Sequence, residues 1–352
     1  MADHTTTPAL AGGIDCDLHA EVPGLQALLP YLPPFMVEQA RNTVFRGPTD
    51  SYYPGPMVGP RAGPPEREQL CADALDPEGL AYGILNCTYA VDGLHNPDHA
   101  VALARAANDW LVAEWLEKDP RLRASIVVPS QLPELAAAEV ERVGDHPGFV
   151  QVLLPVRSQH PYGTRVYRPL WQAISRHDLV AGLHFGGAPG FGATPMGWTT
   201  YYLEEHVAMA QVFACQAMSL VFEGVFDLFP QLRVTFLEGG FTWLPAHTWR
   251  MDKEWRNLRR LVPWVKRAPS NYLREHVRLT VQPLDAPEDP SVLLETIEEL
   301  GSDDLLLFAS DYPHRHASDP HRDLLAHLPP RLARAVLCEN AAAWYRLPED
   351  GR

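Results

Sequence analysis

Short β-rich segments alternate with longer helix-like ones along almost the whole chain, and this rhythm constrains the fold more than any other feature. The β-rich segments read GIDCDLH, AYGILNCTY, RASIVVP, GFVQVLLP, LVAGLHFGG, RVTFLEGG, VRLTVQPL and LLLFASDYP. Six of these eight are continuous apolar runs, as expected for strands covered by protein on both faces. Helical periodicity falls between them, over 96–119, 132–144, 167–178, 204–230, 245–262, 290–301 and 329–347. Eight such units predict an α/β fold, an eight-stranded parallel TIM-like (β/α) barrel in one domain over 1–352. The competing open, doubly wound sheet normally shows a glycine-rich loop after its first strand, and DLHAEVPG is not one. The rhythm breaks over about 20–76, where the proline- and glycine-rich run 46–65 excludes a long helix or a central strand. That stretch reads as an irregular insertion after the first strand, a lid or an oligomer contact; a disordered segment is the alternative.

Chemistry in such barrels gathers at the C-terminal ends of the strands. The first strand carries Asp15, Asp17 and His19 at every second position, so all three share one face. The fifth ends in His184, the sixth in Glu238, and the eighth in Asp311, followed by His314. Each residue alone reads as a turn, a cap or a hydrogen-bonded strand end. Together, Asp17, His19, His184, Glu238 and Asp311 crowd one mouth with three carboxylates. Like charges at that range raise one another's pKa unless a cation neutralises them. A divalent metal is therefore the expected cofactor, and a purely structural network is the alternative.

The formal net charge of −15 argues against nucleic acid and anionic membrane as partners. No run of eighteen apolar residues indicates a membrane span, and MADHTTTPALAGG lacks the basic and apolar regions of a signal peptide. Five scattered cysteines, odd in number and without CxxC spacing, fit reduced thiols in the cytoplasm.

With IDCDLH, GLHFGG, VFDLFPQLRVTFLEGG and FASDYPH in this order, the chain resembles the amidohydrolase superfamily. More narrowly it is similar to the amidohydrolase-related family that includes aminocarboxymuconate semialdehyde decarboxylase. The resemblance implies metal ligands from the first, fifth, sixth and eighth strands. His19, His184 and Asp311 match the family pattern, whereas Asp17 and Glu238 stand where it has histidines. Oxygen-rich sites suit iron and manganese better than zinc. The expectation is thus a dinuclear centre of two Fe or Mn/Fe, held by the five residues with Glu238 bridging; a single Zn is the alternative.

His206, His247 and His314 are candidate additional ligands or acid/base groups, and Asp15 a supporting residue behind the ligands. Arg157, Phe185, Trp198 and Phe241 are candidate substrate contacts on strand ends and loops. The expected activity is O2-dependent hydroxylation of a small, partly apolar substrate, by likeness to the dinuclear oxygenase branch of the superfamily. Metal-dependent hydrolysis of an amide or ester, non-oxidative decarboxylation, and a non-catalytic partner subunit are the alternatives. Loss of the sixth-strand histidine weighs against decarboxylation, although His247 or His314 could replace it. A homodimer or larger homo-oligomer is expected.

Overall fold

The computed structural model describes residues 11–48, 66–187, 192 and 194–348. Eight strands form one parallel sheet in sequential order: β1 Ile14–Leu18, β2 Tyr82–Leu85, β3 Leu122–Val127, β4 Phe149–Arg157, β5 Val180–Gly187, β6 Arg233–Leu237, β7 Val277–Thr280 and β8 Leu306–Leu307. Strands β1 and β8 are joined by backbone bonds from Cys16 N–H to the Phe308 carbonyl (3.0 Å) and from His19 N–H to the Tyr312 carbonyl (2.9 Å). These bonds bring the sheet round on itself, giving a TIM-like (β/α) barrel.

The helices start where local chemistry fixes them. Pro97 occupies the first turn of helix Pro97–Leu111, and the Asn96 side chain accepts from the Asp98 and His99 amides. Asp289 and Pro290 do the same for helix Pro290–Glu299. Outward strand residues such as Ile126, Val152 and Phe236 are fully buried under this helical layer. Fully burying each one is worth about 2 kcal/mol, so the apolar alternation fixes which strand face turns inward.

Two elements differ from expectation. The insertion after β1 is only partly irregular: it holds helix Pro34–Asn42 and a helical turn at Arg67–Leu70. Pro34 at the first helical position pre-sets the backbone there. Its most proline-rich part, 49–65, lies outside the described residues. Helix Pro269–His276 also forms, although its polar sequence gives no clear periodic signal. No described helix is long and apolar enough to cross a membrane.

Candidate metal centre

Two residues at the strand ends adopt unusual backbone geometry. Glu238 just after β6 and Asp311 beyond β8 have φ of 56° and 61°, in the left-handed region that ordinary side chains avoid. At Glu238 the backbone N–H is held by the Thr280 hydroxyl of β7 at 3.0 Å, and Gly240 at φ 60° completes the turn. At Asp311 the carbonyl accepts from the His314 N–H at 2.8 Å. Strand β1 supplies Asp17 and His19, and β5 supplies His184; all three are buried.

These five side chains converge. His19 Nε2 lies 2.8 Å from Asp311 Oδ1 and 3.5 Å from Asp17 Oδ1. His184 Nε2 lies 3.4 Å from both Asp17 Oδ1 and Glu238 Oε2. Asp17, His19 and His184 offer donor atoms within 4.8 Å of one another, as do Glu238, Asp311 and His316, and His19, Asp311 and His314. Asp311 is the hub: His314 Nδ1 reaches Oδ1 at 2.8 Å and His316 Nε2 reaches Oδ2 at 2.6 Å.

The donor set fits a divalent ion. Two donors about 2.1 Å from one ion stand roughly 3.0–3.5 Å apart, the separation that Asp17 and Glu238 keep from His184 Nε2. Asp17 Oδ2 and His184 Nε2 are buried and have no hydrogen-bond partner among the described residues, a costly arrangement without a further occupant. His184 Nδ1–H donates to the Phe185 carbonyl at 2.9 Å, which turns Nε2 toward the cluster.

Electrostatics agree with this geometry. Burial opposes charge on His184, but the nearby Asp17 carboxylate, the bond to the Phe185 carbonyl and the Asp311 carboxylate together raise its pKa. Burial pushes the Asp311 carboxyl up, yet hydrogen bonds from His19, His314 and His316 outweigh it and hold the group well below the usual range. Burial raises Asp15 to about 7; its Oδ1 accepts from the Asp17 and Ser310 amides at 3.0 and 3.1 Å. Asp15 therefore ties β1 to the segment carrying Asp311.

The other candidates divide. His314 joins the cluster, its ring 4.4 Å from that of His19. His206 lies beside it on helix Tyr202–Phe222, stacked on Phe185 at 4.9 Å and edge-on to Tyr202 at 4.5 Å. His247 does not join: it packs edge-on to Trp243 at 5.8 Å, on the helix behind β6. Arg157 is buried in an ion pair with buried Glu205 at 2.9 Å. Trp198 is half exposed. Phe241, which follows Gly240, is fully buried in the hydrophobic core. His316 escaped the sequence reading. Its signal was the repeated histidine in DYPHRH, which a loop folds back onto Asp311.

Residues 14–347 match the model of the Amidohydrolase family. The chain belongs to that family. Within it, the chain is 29% identical over 264 residues to gamma-resorcylate decarboxylase of Polaromonas sp. (strain JS666 / ATCC BAA-500), covering 70% of this chain and 77% of that protein. Among solved structures, 2,6-dihydroxybenzoate decarboxylase from Rhizobium superposes with a TM-score of 0.69 at 23% identity, over 96% of this chain and 99% of the other. The dihydroxybenzoic acid decarboxylase of Polaromonas sp. JS666, with bound manganese and the inhibitor 2-nitroresorcinol, gives 0.68 at 23% identity, over 96% and 97%.

These relatives overturn the expectation of a nonheme-iron monooxygenase performing O2-dependent hydroxylation: they are decarboxylases. The physical reason is that carboxylates at positions 17 and 238 select a hard divalent ion but do not dictate what it is used for. The same oxygen donors that suit iron suit manganese.

Proposed function

We propose that this protein is a metal-dependent, non-oxidative decarboxylase of a small aromatic carboxylate, in the class of dihydroxybenzoates. The observation that carries this reading is the likeness to gamma-resorcylate decarboxylase across 70% of the chain. We assign the metal to Asp17, His19, His184 and Asp311, with Glu238 as a further oxygen donor, and manganese as the first choice of ion. A divalent ion held there supplies positive charge that binds and polarises oxygen atoms of the substrate. A dinuclear Fe or Mn/Fe centre would place its second ion at Glu238, Asp311 and His316, and metal counting distinguishes the two.

The protein's own residues supply the rest. Replacing a carboxylate by hydrogen breaks a C–C bond, leaves its electron pair on the ring carbon, releases CO2 and requires one proton at that carbon. His314 is assigned as the proton donor, with Asp311 fixing the aim and tautomer of its ring. It takes the part that the missing sixth-strand histidine would play; His247 packs against Trp243 and is not among the clustered donors. Phe185 and His206 form a flat wall beside the ligands, suited to stacking on an aromatic ring. Arg157, already paired with Glu205, holds the end of β4 against the helix bearing His206.

The test is to incubate the manganese-loaded protein anaerobically with a panel of hydroxybenzoates and measure CO2 and the phenolic product. Equimolar release of both is expected. Cleavage of esters or amides without CO2 would instead favour the hydrolytic alternative.

We also place a self-association surface on helices Tyr202–Phe222 and Leu244–Leu258. Of the 16 exposed large apolar residues described, 11 fall in the sequence interval Met196–Trp264, and Leu203, Val207, Met218, Trp249 and Leu258 among them lie on these two helices. Such concentration marks an interaction face, and light scattering tests it. The five cysteines stand as free thiols, which supports a cytoplasmic setting.

A further inference from the structure

Seven buried side chains from six parts of the chain form one continuous hydrogen-bonded line through the barrel interior. It starts at Trp344 on the C-terminal helix Asn340–Tyr345 and ends at Asp17. The Trp344 indole bonds Thr235 Oγ1 at 3.0 Å, and Thr235 Oγ1 bonds the Tyr345 hydroxyl at 3.1 Å. The Tyr345 hydroxyl reaches Gln151 Oε1 at 2.8 Å. Gln151 Nε2 reaches Ser125 Oγ at 2.8 Å, Ser125 Oγ reaches Asn86 Oδ1 at 2.6 Å, and Asn86 Nδ2 reaches Asp17 Oδ1 at 2.8 Å. Asp17, Asn86, Ser125, Gln151 and Thr235 are fully buried, and Trp344 and Tyr345 are nearly so.

The direction of every bond follows from the two ends. An indole nitrogen can only donate and a carboxylate oxygen can only accept. Gln151 Oε1 can only accept, so the single Tyr345 proton goes to it and the Thr235 hydroxyl must donate to Tyr345. Each donor then points the same way, from the base of the barrel toward the mouth. One orientation of each amide satisfies the line; flipping Asn86 would set its oxygen against Asp17 Oδ1. Bonds aligned in series polarise one another. The fold also makes room for the line: a Cβ on Gly182 of β5 would lie 2.4 Å from Gln151 Cδ.

We propose that this line is a positioning device for the metal centre. Asn86 is its terminal positioning residue: it donates to Asp17 Oδ1, the oxygen 3.4 Å from His184 Nε2, and so fixes how that carboxylate faces the ion. Tyr345 locks the amide of Gln151, and through Ser125 the amide of Asn86, so the C-terminal helix sets the geometry of a ligand on the first strand. This inference rests on the metal assignment made above. Partners behind metal ligands commonly contribute 10–100-fold to affinity.

The experiment titrates Mn(II) into the full-length protein and follows the free-ion EPR signal, together with the spectrum of the bound ion. The proteins compared are wild type, Asn86→Leu, Tyr345→Phe and Ile126→Val, the last a core change on β3 facing away from the line. Thermal unfolding in chelator reports stability separately. The proposal predicts that Asn86→Leu weakens Mn(II) binding by about 10–100-fold and alters the bound-ion spectrum. Tyr345→Phe should weaken binding by a smaller factor, and Ile126→Val should bind as wild type whatever its stability. Wild-type affinity and spectrum in both Asn86→Leu and Tyr345→Phe would overturn the positioning role while leaving the metal assignment standing. Equal weakening in Ile126→Val would also overturn it, since general destabilisation would then explain the loss. Failure of the wild type itself to bind any divalent ion would overturn the metal assignment, and the inference with it.

Discussion

Glu238 and Asp311 hold left-handed backbone angles that cost a non-glycine residue about 1–2 kcal/mol each. Strain of this kind persists where the surrounding structure imposes it, and here it aims two carboxylates over one mouth. Replacing Glu238 with Asn tests the trade. Asn tolerates the left-handed region and carries no charge. The metal-free Glu238→Asn protein should unfold at the wild-type temperature or higher, while its Mn(II) affinity falls; denaturation in chelator and metal titration measure the two. Asp311→Asn keeps the backbone tolerance but breaks the hub of three imidazoles. It should lower kcat by about 10²–10⁴-fold with the fold intact, as circular dichroism would show. At this scale the sequence was informative where a residue type was improbable for its place. Asp17, His19, His184 and Asp311 stood out because charged groups closed apolar strands. Asn86 and His316 did not, because a neutral amide after a strand and a loop histidine look ordinary until the fold brings them to Asp17 and Asp311.

The strands were legible because covering both faces leaves long apolar runs, and helix starts were legible from proline and capping residues. Helix Pro269–His276 was not, since a short polar segment carries too little periodicity. Depth was the harder matter: Phe241 follows β6 in a glycine-rich turn, where the sequence does not show that its ring enters the hydrophobic core. Helix Tyr202–Phe222 is joined to β4 by the Arg157–Glu205 pair, buried at both ends, and by Gln216 Nε2–H donating to the Val156 carbonyl at 2.7 Å. Removing one partner of a buried pair leaves the other charge poorly compensated. Glu205→Ala should therefore cost about 3 kcal/mol in urea unfolding. It should also raise KM more than it lowers kcat, because the end of the helix that carries His206 loses its anchor to Arg157.

Across the whole molecule, three carboxylates meet at one mouth of a chain whose net charge is −15. Mutual repulsion there should make the protein sensitive to metal removal. Free Mn(II) at a hundredfold above Kd should stabilise it by about 2.7 kcal/mol over the chelated form, read as a rise in unfolding temperature. A second dependence comes from buried imidazoles away from the mouth. Burial lowers the pKa of His247 and of His276, whose Nδ1–H bonds the Leu232 carbonyl at 2.9 Å. Both stay neutral in the folded protein where the unfolded chain, titrating near 6.5, takes up protons. Their contribution is present above pH 6.5 and is lost as pH falls through the depressed folded values. Urea unfolding at pH 8 and pH 5 should show this loss, and His276→Asn should reduce it.

Turnover of 2,6-dihydroxybenzoate by the manganese-loaded protein in D2O, under argon, bears most directly on the proposed chemistry. The prediction is one deuterium at the vacated ring carbon for each CO2 released, with no turnover after chelation. Product formation only in air, with oxygen incorporated into the ring and the carboxylate retained, would contradict it.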